Sequence, residues 1–320
     1  MSDASAGRVR PVLVNRYEKV TDHQLSVAAA KYGDRLLAKV RLADVVDVDA
    51  WTAGVRRYGL ASHLDFVMVT AETSMPKFAV ELDGRQHWTD PATRRRDRLK
   101  DQLCEWAGLP LLRITSEFIR RQGRWTVLNY AIEAFYLSEG FFEAQEAGHI
   151  PMDEPLFATS FLVPTADGSL GLNALDHEAR LLLLREYQDL RLPTYAPDVF
   201  WTTDPSAGAV QAHAWMAVAP NRYLVARTRV RDCRFQGITP SELAGQLVVL
   251  ELADHAKKWL AGEAVACDRR TLLCYMGEAQ KYISDGGFLG CVTGGALRAG
   301  GPPPMTIDID AQTLGGRSPR

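Results

Sequence analysis

Two short apolar runs, Phe66–Val69 and Phe78–Leu82, are separated by a polar stretch containing Ser74 and Pro76. Runs of this length bounded by turn residues predict a β-hairpin. Downstream, Asp90-Pro91 opens the segment ATRRRDRLKDQLCEWAG, with proline near the start and glycine at the end, as suits the two termini of a helix. Leu99, Leu103 and Trp106 recur at helical spacing and are expected to pack on the sheet. Asp97, Lys100 and Asp101 fall at i, i+3 and i+4 and are neighbours on the helix surface. Leu109–Ile114 then predicts a buried strand that carries Arg113 near its end. Upstream, the pattern predicts an amphipathic helix over Asn15–Lys31, ending near Gly33. Leu36–Val48 predicts a strand followed by a bend, and Trp51–Gly59 an insertion or short helix.

Beyond Thr115 the patterns are less regular. Residues 116–144 predict one or two helices covering the sheet, and Gly148–Pro155 a linker. The remainder predicts a hairpin around Ala166-Asp167-Gly168, a helix from about Leu175, a turn region over Pro193–Ala207 and a strand from Arg222 to Phe235. A further strand over Leu247–Leu252 and a helical region over His255–Ile283 follow. Val225, Arg227, Arg229 and Arg231 alternate at period two, so one strand face is basic, as a solvated surface or a nucleic-acid contact. The expected organisation is a flexible N-terminus over 1–13, a first domain over 14–147, an α+β domain over 148–285 and a mobile Gly/Pro-rich tail over 286–320.

Composition narrows the possibilities. The 320 residues are 47% hydrophobic and 24% charged, which is ordinary for a globular protein with a substantial core. A net charge of −2 means that any contact with phosphate depends on a local patch, and Arg94, Arg95 and Arg96 with Arg98 are the candidate. No apolar stretch approaches the ~20 residues of a membrane span, and the N-terminus lacks the apolar segment of a signal peptide. Five cysteines without paired short spacing suit a reducing, cytoplasmic setting.

The chemistry concentrates in the predicted hairpin. Asp65 opens its first strand, and Glu81 and Asp83 close its second, so antiparallel pairing brings Asp65 and Glu81 to one rim of the sheet. Carboxylates gathered there are costly unless a cation lies between them, and Mg²⁺ is the usual hard-cation occupant. Each residue also has a plainer reading. Asp65 is a capping residue, Asp83 with Gly84 a turn, Glu18 a solvated helix residue and His87 a loop histidine. Lys100 forms an ion pair with Asp97 or Asp101, Arg94–Arg96 is a solvated helix start, and Arg113 belongs to a structural ion pair.

Taken together, DF…VELDG..H…RD..KD..L..AGLPLLRI resembles the PD-(D/E)XK nuclease superfamily. The likeness is greatest to the bacterial domains that resemble very-short-patch-repair endonucleases. It covers roughly Val14 to Ile132, and the combination of motifs is specific where ELDG alone is weak. It implies an α/β fold with a restriction-endonuclease-like αβββαβ core, a mixed sheet flanked by helices, followed by the C-terminal α+β domain. It further implies metal-dependent hydrolysis of phosphodiester bonds, with DNA ahead of RNA as the nucleic-acid partner, and a setting such as repair or anti-phage restriction. Asp65 and Glu81 match the family's metal ligands for Mg²⁺ or Mn²⁺, and Glu18 the acidic residue of its first helix. Asp83 stands where the signature has lysine, which leaves His87 or Lys100 as the last catalytic group. The alternative is a catalytically silent nucleic-acid-binding module whose C-terminal domain binds a ligand, a protein partner or a second copy of the chain.

Overall fold

The computed structural model describes residues 11–84, 90–119, 121–122, 124–164, 168–204, 208–231, 235–282 and 288–292. The chain divides into two compact units, Met1–Glu139 with Cys233–Gln236, and Gly140–Asp232 with Gly237–Arg320.

In the first unit, α1 (Arg16–Tyr32) leads to β1 (Asp34–Arg41), a 3₁₀ turn (Leu42–Asp44) and α2 (Ala53–Ala61). The hairpin β2 (His63–Thr70) and β3 (Pro76–Leu82) follows, then α3 (Pro91–Trp106) and β4 (Leu111–Ile114). The sheet order is β1-β2-β3-β4. The first two pairings are antiparallel and the β3–β4 pairing is parallel, giving a mixed sheet with helices packed against it.

The local chemistry explains the helix ends. Asn15 caps α1 by accepting from the Glu18 amide, while Glu18 Oε2 accepts from the Asn15 amide, a reciprocal capping box. Gly33 ends the helix at φ +71°, a left-handed conformation that glycine adopts without cost. Asp90 caps α3, with Pro91 in the first turn, where its missing N–H loses no hydrogen bond.

The two faces of this sheet bury different layers. Alternation along the strands turns Val67, Val69, Ala79 and Leu111 toward Leu103 and Cys104 of α3. The opposite face presents Phe78, whose ring packs on Phe135 and Tyr136 of α4 (Val127–Glu146) and on Phe235. Trp106, expected to pack on the sheet, is 53% exposed and meets the edge of Trp51 instead. It is the last residue of α3, three positions after the buried Leu103. Trp51–Gly59 yields the short helix α2. A two-residue ribbon, β5 (Arg121–Gln122) with β6 (Trp125–Thr126), precedes α4.

The second unit is α+β. A small hairpin, β7 (Leu162–Pro164) and β8 (Leu170–Leu172), precedes α5 (His177–Gln188). It is the hairpin expected there, although Ala166 and Asp167 of its turn lie outside the described residues. An antiparallel sheet in the order β11-β10-β9-β12 then carries α6 (Pro240–Leu260) and α7 (Arg269–Tyr282). Its strands are β9 (Asp198–Asp204), β10 (Ala209–Ala219), β11 (Arg222–Arg231) and β12 (Phe288–Val292).

Three sequence expectations are corrected in this unit. Leu247–Leu252 is helical, within α6, because a short apolar run does not distinguish strand from buried helix. The deciding signals lie upstream, where Thr239 and Glu242 form a capping box and Pro240 occupies the first turn. The buried set Leu243, Val248, Val249, Leu252 and Ala256 then follows helical spacing. Part of the expected turn region over Pro193–Ala207 is the strand β9, whose Val199 and Phe200 are buried against the rest of the sheet. The expected tail includes β12, which pairs with β9. Residues 1–10 and 293–320, at the two expected mobile ends, lie outside the described residues.

Candidate active site

The sheet of the first unit carries a row of charged side chains across its four strands. Phe66 is paired with Val80, so the next positions along the hairpin set Asp65 beside Glu81. Glu81 is itself paired with Arg113 on β4. On the other side, Ala38 pairs with Phe66 and Val40 with Leu64, which brings Lys39 next to Asp65. Residues in register on neighbouring strands share a face, and the row reads Lys39, Asp65, Glu81, Arg113.

Two like charges side by side at its centre are unfavourable in isolation, and the surrounding groups compensate them. Glu81 Oε2 accepts from Lys100 Nζ at 2.7 Å, and Lys100 also donates to the His63 carbonyl at 2.7 Å. Glu81 Oε1 accepts from the Asp65 amide at 3.1 Å. Asp65 Oδ2 accepts from the Leu82 amide at 2.9 Å, and its Oδ1 from Lys39 Nζ at 2.7 Å. The two carboxylates are thus laced together by backbone amides and flanked by one ammonium each. Burial raises the Glu81 pKa above the ordinary carboxylate value; Lys100 opposes that shift, and Asp65 adds to it.

Lys39 has a second carboxylate partner, Glu18 Oε1, at 2.9 Å. Burial works against its charge, but hydrogen bonds to Asp65 and Glu18 outweigh that effect and raise the Lys39 pKa. Burial likewise works against the Glu18 charge. Hydrogen bonds from Lys39 and from the Val14 and Asn15 amides prevail and lower its pKa. Lys39 also has φ +54° in the middle of a strand. A lysine in the left-handed region is strained by roughly 1 kcal/mol or more. Tyr17, beside Glu18 in the first turn of α1, turns its hydroxyl into the same region. That oxygen is buried without a hydrogen-bond partner, and its pKa is raised by burial and then by Asp83 and Asp65.

A second cluster holds the far end of the row. The Arg113 side chain is 3% exposed. It donates from Nη1 to Asp83 Oδ1 at 3.0 Å and from Nε to Asp101 Oδ1 at 2.8 Å, while Asp97 Oδ1 lies 3.6 Å from Nη1. Burial works against its charge, but Asp101, Asp83, Glu81 and Asp97 raise its pKa.

Several predicted site residues therefore converge. Asp65 and Glu81 meet as the hairpin requires. Glu18 reaches them through Lys39. Lys100 forms an ion pair, but with Glu81 rather than with the expected Asp97 or Asp101. Asp83, weighed as a ligand or a turn residue, is held by Arg113 in the structural ion pair expected of that arginine. Arg94, Arg95 and Arg96 lie on the first turns of α3, about one to two turns, or ~6–9 Å along the axis, from Lys100. His87 lies outside the described residues.

Lys39 and Tyr17 are members of the site that sequence patterns do not announce. Strand register gives Lys39 away once β1 is aligned with β2, but nothing in the sequence signals its left-handed backbone.

The donor set offers hard oxygen atoms, and Mg²⁺ commonly takes one or two carboxylates with waters filling the remaining positions. Asp65 and Glu81 suit that requirement. Among the described residues, no group of three or more His, Cys, Asp or Glu side chains is arranged to hold a metal ion. Among them also, no helix is long and apolar enough to cross a membrane.

Residues 10–125, which include every member of the charged row, match the model of a family described as a protein of unknown function, DUF2726. That match spans a little more than a third of the chain. No curated protein and no solved structure matches the chain.

Proposed function

We propose that the first unit is a divalent-metal-dependent nuclease of the PD-(D/E)XK type, with the Asp65–Glu81 pair at its centre. One observation carries the reading: two carboxylates on adjacent strands are fixed side by side by backbone amides, each with a lysine from a different element. Holding like charges together in a folded core costs stability, and catalytic sites are where such costs are retained. The element order around the pair, α1-β1-β2-β3-α3-β4 with α2 inserted after β1, is compatible with the core that the sequence resemblance implies.

In this reading Asp65 and Glu81 would hold Mg²⁺ or Mn²⁺, and the ion would supply Lewis-acid chemistry toward a water and the phosphate. The protein's own groups do the rest. Lys100 orients Glu81 and opposes the effect of burial on it, the Asp65 and Leu82 amides fix the carboxylate planes, and Arg94–Arg96 hold the nucleic-acid backbone without reading sequence. DNA is favoured over RNA by resemblance alone, as is a role in repair or restriction; a cytoplasmic setting is suggested by the cysteine usage.

The reading is tested by cleavage of a linear DNA duplex by the full chain in Mg²⁺, Mn²⁺ and chelator. Cleavage that requires metal supports it; cleavage that persists in chelator contradicts it.

A second reading has its own support. Every carboxylate of the row already has a cationic partner, and Asp83, at the signature-lysine position, is locked to Arg113. Such a network is self-sufficient as structure, which suits a silent nucleic-acid-binding module. That module binds the same DNA with equal affinity in chelator and cuts it with no metal.

A further inference from the structure

The geometry points to Lys39 as the cation that meets the scissile phosphate, in the role of the missing signature lysine, with Lys100 as a positioning residue for Glu81. The inference rests on the nuclease reading.

Two ammonium groups touch the central carboxylates among the described residues, and they are not equivalent. Lys100 is buried, its side chain 10% exposed, and its donors are directed at Glu81 and at the His63 carbonyl. Bringing it to a substrate would leave a buried carboxylate without its counter-ion, which is strongly destabilising. Lys39 is 32% exposed and lies on the more open side of the pair, against an Asp65 side chain that is itself 21% exposed. Its second partner, Glu18, comes from α1, so the ammonium is suspended between two carboxylates on separate elements.

The backbone adds an independent observation. Lys39 is one of four non-glycine residues with positive φ among the described residues, and it lies inside the strand β1. The pairing of β1 with β2 omits that position, passing from Ala38–Phe66 to Val40–Leu64. A strand that breaks its own ladder to aim one lysine at a carboxylate pair stores strain where function can use it. Glu18 then acts as a positioning residue for Lys39 rather than as the metal ligand expected from the sequence.

In hydrolysis the water oxygen bonds to phosphorus, and the bond to the leaving oxygen breaks with its electron pair on that oxygen. The water's proton passes to solvent and solvent protonates the leaving oxygen. Lys39 stays protonated throughout and supplies charge to the phosphate as negative charge builds on it.

The test compares wild type with Lys39→Met, Lys39→Arg and Lys100→Met in two assays. One is cleavage of a DNA duplex under Mn²⁺, separating kcat from KM; the other is Mn²⁺ binding followed by electron paramagnetic resonance. Lys39→Met is expected to lower kcat at least ~100-fold with KM within about threefold, and to bind Mn²⁺ as tightly as wild type or more tightly, because a competing cation has gone. Lys39→Arg restores part of kcat. Lys100→Met weakens Mn²⁺ binding instead. Should Lys39→Met not fold, Glu18→Gln replaces it and is expected to slow cleavage at least ~10-fold with Mn²⁺ affinity kept.

A Lys39→Met protein that cuts about as fast as wild type overturns this inference and leaves the nuclease standing. So does one that loses Mn²⁺ binding together with cleavage, since Lys39 would then be a brace. An unchanged rate or weaker Mn²⁺ binding in Glu18→Gln counts against it in the same way. A wild type that cuts nothing overturns the nuclease reading and this one with it.

Discussion

The two four-stranded sheets of this protein bury titratable groups in opposite ways. In the first unit Glu81, Arg113 and Lys100 lie nine-tenths or more within the fold and each is matched by opposite charge. In the second, His213 on β10 is just as buried, but aromatic groups surround it in place of carboxylates. It stacks on Phe200 at 4.7 Å, and its Nδ1 lies 3.3 Å from the Tyr275 hydroxyl. Its Nε2 is buried without a partner. Burial, aided by the charge of Arg227, lowers its pKa to about 4. A fold that keeps a buried group charged must build counter-ions around it, whereas one that needs only packing lets the group go neutral. The first sheet has taken the expensive course. That difference is the physical reason for placing function there.

The comparison is most sharply broken at Arg113. Arg113→Met leaves Asp83, Asp97 and Asp101 without their shared cation, and should destabilise the first unit by about 3–5 kcal/mol. Chemical denaturation measures the effect. A change below about 1 kcal/mol would mean that the cluster is well solvated and that the contrast between the sheets is overstated.

Lys100→Met removes a single counter-ion and is expected to cost somewhat less, about 3 kcal/mol. Adding Glu81→Gln should recover most of that stability, because the stranded charge is then removed. A double-mutant cycle with no coupling between the two positions would contradict the pairing.

The second sheet makes a prediction of opposite character. The His213 pKa is lowered in the folded state, so the unfolded chain binds the proton first as pH falls. Stability of the second unit is therefore complete above about pH 6.5 and declines progressively as pH falls toward about 4. The decline should reach a few kcal/mol, and His213→Gln should flatten it. Hydrogen exchange of the β10 amides across that range reads it directly.

The smallest effect on stability belongs to the arginines that open α3. Replacing Arg94, Arg95 and Arg96 with alanine should change stability by under about 0.5 kcal/mol each. If they hold phosphates, DNA binding weakens and the slope of log K against log salt becomes shallower by about 0.9 for each phosphate no longer held. An unchanged salt slope would return them to the solvated helix start that their sequence also allows.

Much of the site is legible in the sequence because it depends on local rules. A hairpin of known polarity fixes which ends meet, and that alone places Asp65 beside Glu81. Proline and glycine near the two ends of α3 frame the helix that carries Lys100. What escapes depends on information that no short window contains. The left-handed backbone of Lys39 is imposed by its surroundings against the residue's own preference. Helix spacing points Lys100 at Asp97 or Asp101, whereas its partner is on a strand 19 residues away. In α6 the difficulty is different: LVVLEL is apolar enough for either period, and only the cap before it decides. The strand β9 is hidden by flanking prolines and glycines that mark its ends rather than its middle.

The measurement that bears most directly on the central claim is cleavage of supercoiled plasmid, single-stranded DNA and RNA in Mg²⁺, Mn²⁺ or EDTA. Wild type is run beside Asp65→Ala and Glu81→Ala, with folding of each confirmed by circular dichroism. The account predicts cutting that requires metal and falls at least ~100-fold in both folded variants. Equal activity in wild type and variants, or no cutting by wild type with any metal, would contradict it.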